Sequence, residues 1–204
     1  MRPMTHDSVF IVDDDTDVRD SLRSLLETAG FKTCGFASAE ELLADASAKR
    51  GCLIADVRMP GMGGLELLEE IRQRQWHLPV IIMTGHADIP LAVRVMKAGA
   101  VDFLEKPFAS MRLMDSVQRA LELGPGPRPQ NEETRAARKL LTHLSSRERT
   151  VLEKLVQGQA NKTVAHELGI SPRTVEIHRA HIMLKMDASS LADLVRAVLT
   201  AQSA

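Results

Sequence analysis

The chain is poor in the residues that staple a fold or anchor it to a membrane. Only two of its 204 residues are cysteines, Cys34 and Cys52, and neither has a second Cys or a His at zinc spacing. That excludes a disulfide framework and a Cys/His zinc site. Two reduced thiols in the core, in a reducing cytoplasm, are expected instead. No run of about 18 apolar residues occurs, so no membrane span and no membrane partner are expected. The start, MRPMTHDSVF, has no apolar stretch before a small-residue cleavage site, and no signal peptide is expected. Aromatic residues make up 3% of the chain and tyrosine is absent, but an apolar content of 44% still supplies a core.

Net charge is also scarce, at −1, yet it is unevenly spread. Residues 1–124 hold 14 Lys/Arg against 19 Asp/Glu, and residues 125–204 hold 12 against 8. Opposite signs in the two parts point to different partners, with nucleic acid a candidate for the basic part.

What is present is alternation. Short apolar runs at 9–13, 31–36, 52–56, 79–84 and 101–106 read as strands. Between them lie amphipathic helical stretches such as VRDSLRSLLETAG (18–30). Five strand–helix units in a row predict a doubly wound α/β domain, a five-stranded parallel sheet covered by helices on both faces. LGPGPRPQNEE (123–133) then breaks the pattern with three prolines and two glycines. The expected organisation is a domain over 1–123, a linker over 124–139 and an all-α, four-helix domain over 140–204.

In such sheets ligands sit beyond the carboxyl ends of the strands, where strand order reverses. The first strand ends in Asp13 and Asp14, the third in Asp56, the fourth in Thr84, and the fifth in Lys106 before Pro107. Carboxylates crowded together stay ionised only with a shared cation. Mg2+ suits them, because it takes one or two carboxylates, keeps waters and accepts a phosphoryl oxygen. Asp56 precedes a Pro/Gly loop, and an aspartate in that setting can attack phosphorus to give an acyl phosphate. Asp15 and Asp17 read as caps of the first helix.

The string VDDD…IADVRMPG…MTGHAD…AGAVDFLEKPF resembles the receiver domain of two-component response regulators, in particular the FixJ subgroup, over residues 7–122. The resemblance implies Asp56 as phosphoacceptor. It implies Mg2+ held by Asp13, Asp14, Asp56 and the Arg58 backbone carbonyl. Thr84 and Lys106 would sense the phosphoryl group, with Phe103 at the switch position where relatives often carry tyrosine. It also implies a cis Lys106–Pro107 peptide, and a dimer surface on the helix after strand four with Val93 and Lys97 as contacts.

The second part reads as helices only. LSSRERTVLEKLVQG (144–158) opens with the capping box Ser145-x-x-Glu148. NKTVAHELG (161–169) has Asn161 as its expected N-cap and Gly169 as stop. The next helix has Ser171 at N-cap and Pro172 at N1, and a last helix covers 190–201. Val175, His178, Ile182 and Met186 share one face, expected to be the core. The opposite face offers Arg173, Thr174, Glu176, Ile177, Arg179 and Ala180 to a major groove. Lys162, Arg173 and Lys185 suit phosphates, and Glu176 either accepts from cytosine or restrains Arg179. The pattern SxRExxVL…NKxxAxxLGISPRTVExHRxxIMxKM resembles the LuxR/FixJ-type helix-turn-helix domain over 141–201, whose last helix typically dimerises.

Together the two resemblances imply a transcription regulator rather than an enzyme. Its implied partners are a sensor histidine kinase, double-stranded promoter DNA and, on phosphorylation, a second copy of the chain, with RNA polymerase a candidate. Two alternatives stay open. One is a Mg2+-dependent phosphohydrolase with an aspartate nucleophile, although Asp13-x-Asp15-Thr16-Asp17 lacks the final Thr/Val of that motif. The other is a receiver whose helical tail binds protein or RNA.

Overall fold

The computed structural model describes residues 8–45, 50–86, 88–123 and 130–202, with the backbone alone at 123 and 130–133. The alternating half forms β1 (Ser8–Val12), α1 (Thr16–Thr28), β2 (Lys32–Phe36), α2 (Ala39–Ala44) and β3 (Gly51–Asp56). It continues with α3 (Gly64–Gln73), β4 (Val80–Thr84), α4 (Ile89–Lys97), β5 (Asp102–Glu105) and α5 (Ser110–Leu123). The strands are parallel in the order β2-β1-β3-β4-β5. β1 and β3 run in register from Ser8 opposite Gly51 to Val12 opposite Ala55. Their carboxyl ends therefore finish side by side where the order reverses, which is where such sheets open a crevice. Asp13 follows β1 and Asp56 closes β3. Thr84 pairs with Glu105, so Thr84 and Lys106 reach the same edge.

Alternate strand residues divide between the two faces, as a period of two requires. Val9, Ile11, Cys52, Ile54, Ile81, Met83 and Leu104 pack with Leu22 and Leu26 of α1 and Leu113, Val117 and Ala120 of α5. Each Val, Leu, Ile or Met among them contributes roughly 1.5–3 kcal/mol when fully buried. Only one thiol joins this core: Cys52 is buried, but Cys34 is exposed. β2 is an edge strand, so Lys32 and Cys34 face water. At the start of α1, Asp15 is the N-cap, its Oδ1 accepting from the Asp17 and Val18 amides; Asp17 lies in the first turn.

The second part forms α6 (Gln130–Thr142), α7 (Ser146–Val156), α8 (Asn161–Leu168), α9 (Pro172–Lys185) and α10 (Leu191–Gln202). Two compact units result: Met1–His86 with Ala98–Gly126, and Ala87–Lys97 with Pro127–Ala204. This departs from the expected boundaries in two ways. First, α4 groups with the second unit. Second, residues 130–139 of the expected linker are helical, giving that unit α6 beside the four expected helices; residues 124–129 lie outside the described residues. Thr134 and Ala137 are buried on α6, Thr134 Oγ1 donates to the Thr200 carbonyl at 3.4 Å and Arg138 Nε to that of Ala201 at 3.0 Å. A buried threonine and alanine among charged neighbours leave little hydrophobic periodicity to mark this helix.

Guanidinium groups cap two further helix carboxyl ends. Arg149 Nη2 donates to the Leu141 carbonyl at 3.0 Å and Arg147 Nη2 to that of Leu168 at 2.8 Å. The last carbonyls of a helix have no i+4 amide within it and carry the negative end of the dipole. The Ser145–Glu148 capping box forms, and Gly169 ends α8 in the left-handed region at φ 63°. The N-cap of α8, however, is Ala160, which has no side-chain bond to give; Asn161 is the first helical residue.

Candidate functional site

At the carboxyl edge of the sheet, Lys106 Nζ donates to Asp13 Oδ2 at 2.8 Å and to Asp56 Oδ1 at 2.6 Å. Both carboxylates are almost closed to solvent, at 2% and 8% exposure. The other Asp56 oxygen accepts the Arg58 amide at 2.6 Å, and Asp13 Oδ1 accepts that of Asp15 at 3.0 Å. Burial works to lower the Lys106 pKa, but the bonds and charges of Asp13 and Asp56 outweigh it and raise it above the ordinary lysine value. The ammonium is thus the resident cation between two carboxylates.

Thr84 is buried, its hydroxyl turned onto the His86 backbone in two 3.2 Å bonds. Phe103 is buried on β5, three residues before Lys106, and the Lys106–Pro107 peptide is cis, as the resemblance implied. Asp14 stands exposed at the rim. Among the described residues no three His, Cys, Asp or Glu side chains close a metal cage. The oxygens present still fit a hard divalent ion: one ammonium for two buried carboxylates leaves a negative excess, and Mg2+ needs only one or two of them.

On the second unit, Arg173, Glu176 and Ile177 of α9 are exposed, and Arg179 is half-buried. Ile177 keeps 46% exposure. Thr174 is engaged with its own helix start, its Oγ1 2.9 Å from that of Ser171. Glu176 pairs with Arg173 at 3.5 Å and not with Arg179, the second of its two expected roles. Lys162 is exposed in the first turn of α8. Val175, Ile182 and Met186 are buried on the inner face of α9, and His178 is half-buried beside them. On α4, Val93 is buried and Lys97 exposed.

Comparison with known proteins assigns both units. The response regulator receiver domain family matches residues 9–118, and the luxR family of bacterial regulatory proteins matches residues 142–198. The transcriptional regulatory protein FixJ of Azorhizobium caulinodans is 50% identical over 194 residues, 95% of this chain and 92% of the relative. The chain is a FixJ-type two-component response regulator. FixJ of Rhizobium meliloti is 46% identical over 197 residues, 96% of this chain and 97% of the relative. A crystal structure of full-length FixJ from B. japonicum, 43% identical, covers 98% of this chain and 99% of its own, with a TM-score of 0.53. FixJ-N, 46% identical, covers 58% of this chain and 96% of its own at 0.55. Like its relatives, this response regulator joins a receiver to a LuxR-type DNA-binding domain and regulates transcription.

Two polar clusters of this response regulator escape a reading by periodicity. The first lies under the receiver site, where Asp102 at the start of β5 is fully buried with Arg112 and Ser116 of α5. Its signal is a charged residue inside an apolar strand run. The second joins α7 to α9. Lys185, expected to meet phosphate, donates to the buried Glu148 at 2.7 Å. That bond, followed by the Ser145 amide, pulls the Glu148 pKa down from 4.5 to about 2.

A depressed carboxylate stabilises the fold above its unfolded pKa and loses that contribution as pH falls through the folded one. The Glu148 contribution is therefore whole above 4.5 and fades toward 2. Loss of ~1 kcal/mol lowers the melting midpoint of a small domain by about 4–8 °C. Thermal scans at stepped pH should show a drop of that order below pH 4, smaller in Glu148→Gln. An identical acid limb in both proteins contradicts the assignment.

Proposed function

We propose that Asp56 accepts a phosphoryl group from a sensor histidine kinase, and that the resulting acyl phosphate makes the chain dimerise and grip promoter DNA. The observation that supports this best is Lys106, whose ammonium lies 2.8 Å from Asp13 and 2.6 Å from Asp56 at the carboxyl edge of the sheet. In this reading residues 1–123 are the receiver and 140–204 the DNA-binding domain, in a cytoplasmic protein that is modified rather than turning over substrate. An Asp56 oxygen attacks phosphorus and the donor's histidine leaves. Asp13, Asp14, Asp56 and the Arg58 carbonyl are the residues to hold Mg2+, which when bound neutralises charge on the transferring group. Lys106 exchanges Asp56 Oδ1 for a phosphoryl oxygen. Thr84 gives up His86 to do the same, and Phe103 repacks with it. These exchanges bias a pre-existing two-state equilibrium.

Dimerisation, with Lys97 among its contacts and Val93 only once α4 has uncovered it, since it is buried in the single chain, then presents two copies of α9 to paired half-sites. Arg173, Thr174, Glu176, Ile177 and Arg179 meet base edges and Lys162 meets phosphate. Lys185 contributes to phosphate only by leaving Glu148. RNA polymerase recruitment belongs to the same reading.

The test is light scattering and duplex binding with and without acetyl phosphate and Mg2+. Phosphorylation should produce dimers and tighten specific duplex binding by roughly 5- to 150-fold, the span of a coupling of about 1–3 kcal/mol. Binding should weaken steeply with salt, because phosphate contacts release counterions. Lys106→Ala should take up phosphate without either gain. Phosphate-dependent dimers in Lys106→Ala, or none in the wild type, overturn the mechanism.

A further inference from the structure

The loop from Val57 to Gly63 leaves the proposed phosphoacceptor and turns back into α3, and its two ends lie against Asp56 and Val57. The Arg58 amide donates to Asp56 Oδ2 at 2.6 Å and the Gly64 amide to the Val57 carbonyl at 3.2 Å. A Cβ on Gly64 would stand 2.3 Å from the Asp56 carbonyl oxygen, and one on Gly63 2.7 Å from that of Val57. With so little clearance, a displacement of the loop reaches Asp56 and Arg58 directly.

The apex of this loop is tied to another part of the receiver. Glu40, in the first turn of α2, accepts the Met62 amide at Oε1 over 3.0 Å, a bond between residues 22 apart in sequence. The same oxygen would lie 2.7 Å from a Cβ on Gly61, whose φ is +75°. Glycine thus serves twice, by allowing the turn and by letting the carboxylate lie against the chain. α2 is itself a firm base, with Ser38 Oγ accepting the Glu41 amide and Leu42 in the core. Glu40 is exposed, and the amides of Glu40 and Met62 hold its pKa below the ordinary 4.5, so the carboxylate is charged at neutral pH.

We propose that Glu40 is a positioning residue for the phosphorylation site: from α2 it holds the Met62 amide and so fixes the Arg58 backbone beside Asp56. This rests on the reading of Asp56 as phosphoacceptor and of the Arg58 carbonyl as a Mg2+ ligand. Glu40 touches neither ion nor phosphoryl group. It restricts the loop, so that the Arg58 carbonyl and the Asp56 carboxylate, which would hold the ion, have less ordering left to do on binding.

The experiment compares full-length wild type, Glu40→Ala and Glu40→Gln. Its readouts are the Mg2+ dissociation constant by calorimetry, the Met62 amide exchange rate, and the lifetime of phosphoryl-Asp56 after acetyl phosphate. Glu40→Ala should bind Mg2+ about three- to tenfold more weakly, the scale of one lost charge-assisted bond in water. Its Met62 amide should exchange faster and its phosphoryl lifetime should change. Glu40→Gln keeps an acceptor oxygen for Met62 but no charge, and should return close to wild type in all three. A mere loss of negative charge near the ion would make the two variants alike, which overturns the positioning role. So does a Glu40→Ala variant indistinguishable from a wild type that binds Mg2+ and takes phosphate. A wild type that does neither overturns the phosphoacceptor reading beneath it.

Discussion

Incubation with acetyl phosphate and Mg2+ should place one acid-stable, alkali-labile phosphate on each wild-type chain and none on Asp56→Asn. The loss should be complete because neither neighbouring carboxylate stands where Asp56 does, at the head of the loop that turns into α3. Asp13 Oδ1 holds the Asp15 amide and its Oδ2 the Lys106 ammonium. Asp14 is exposed at the rim. Only Asp56 follows directly into the glycine-closed loop, with its second oxygen oriented by the Arg58 amide. Asparagine keeps the shape of the side chain and an oxygen for that amide, but its carbonyl is no nucleophile toward phosphorus. Lys106 retains Asp13 at 2.8 Å, so the mutant should fold and melt near wild type. Acid-stable label on Asp56→Asn comparable to that on wild type would move the phosphoacceptor to another residue.

How much of this was legible beforehand depends on what kind of signal carries it. The sheet is written in apolar runs too short for helices, and the residues ending those runs name the site: Asp13, Asp56, Thr84 and Lys106 all finish on one edge. Strand length alone conveys that. The helix-turn-helix is written in its caps, Ser145, Gly169 and Ser171, which are local signals. What stays hidden is pairing between distant elements. Lys185 has a free-looking ammonium at the end of α9 until Glu148, 37 residues away, is brought against it. Glu40 reads as an ordinary first-turn acid until Met62 arrives. α6 is hidden differently, because Thr134 and Ala137, the residues buried on it among the described side chains, make a stripe too thin to stand out among charges. Cys34 shows the converse error, since an edge strand exposes positions that a central strand would bury.

The larger stability effect should come from Asp102. Its side chain is fully buried, and Arg112 meets both oxygens, Nη2 on Oδ1 and Nη1 on Oδ2, each at 2.9 Å. Ser116 Oγ donates to Oδ2 at 2.7 Å and the Phe103 amide to Oδ1 at 2.9 Å. One carboxylate therefore joins the start of β5 to two turns of α5, across the segment that carries Phe103 and Lys106. Removing one partner of a buried ion pair strands the others, at a cost of about 3–5 kcal/mol. Asp102→Asn should lose that much, because its amide NH2 faces donors in place of an acceptor oxygen. Arg119, more distant at 3.7 Å and with a partly exposed side chain, should cost no more than about 1 kcal/mol as Arg119→Ala. Replacing the whole cluster at once, as Asp102→Leu with Arg112→Met and Ser116→Ala, should cost less than Asp102→Asn alone, since no buried charge is left over. Urea unfolding followed at Trp76, the only tryptophan and part of the first unit, separates these cases. If Asp102→Asn proves as mild as Arg119→Ala, the carboxylate does not hold β5 to α5, and the frame that carries Lys106 to Asp56 must be sought in the apolar contacts of Leu104, Leu113 and Val117 instead.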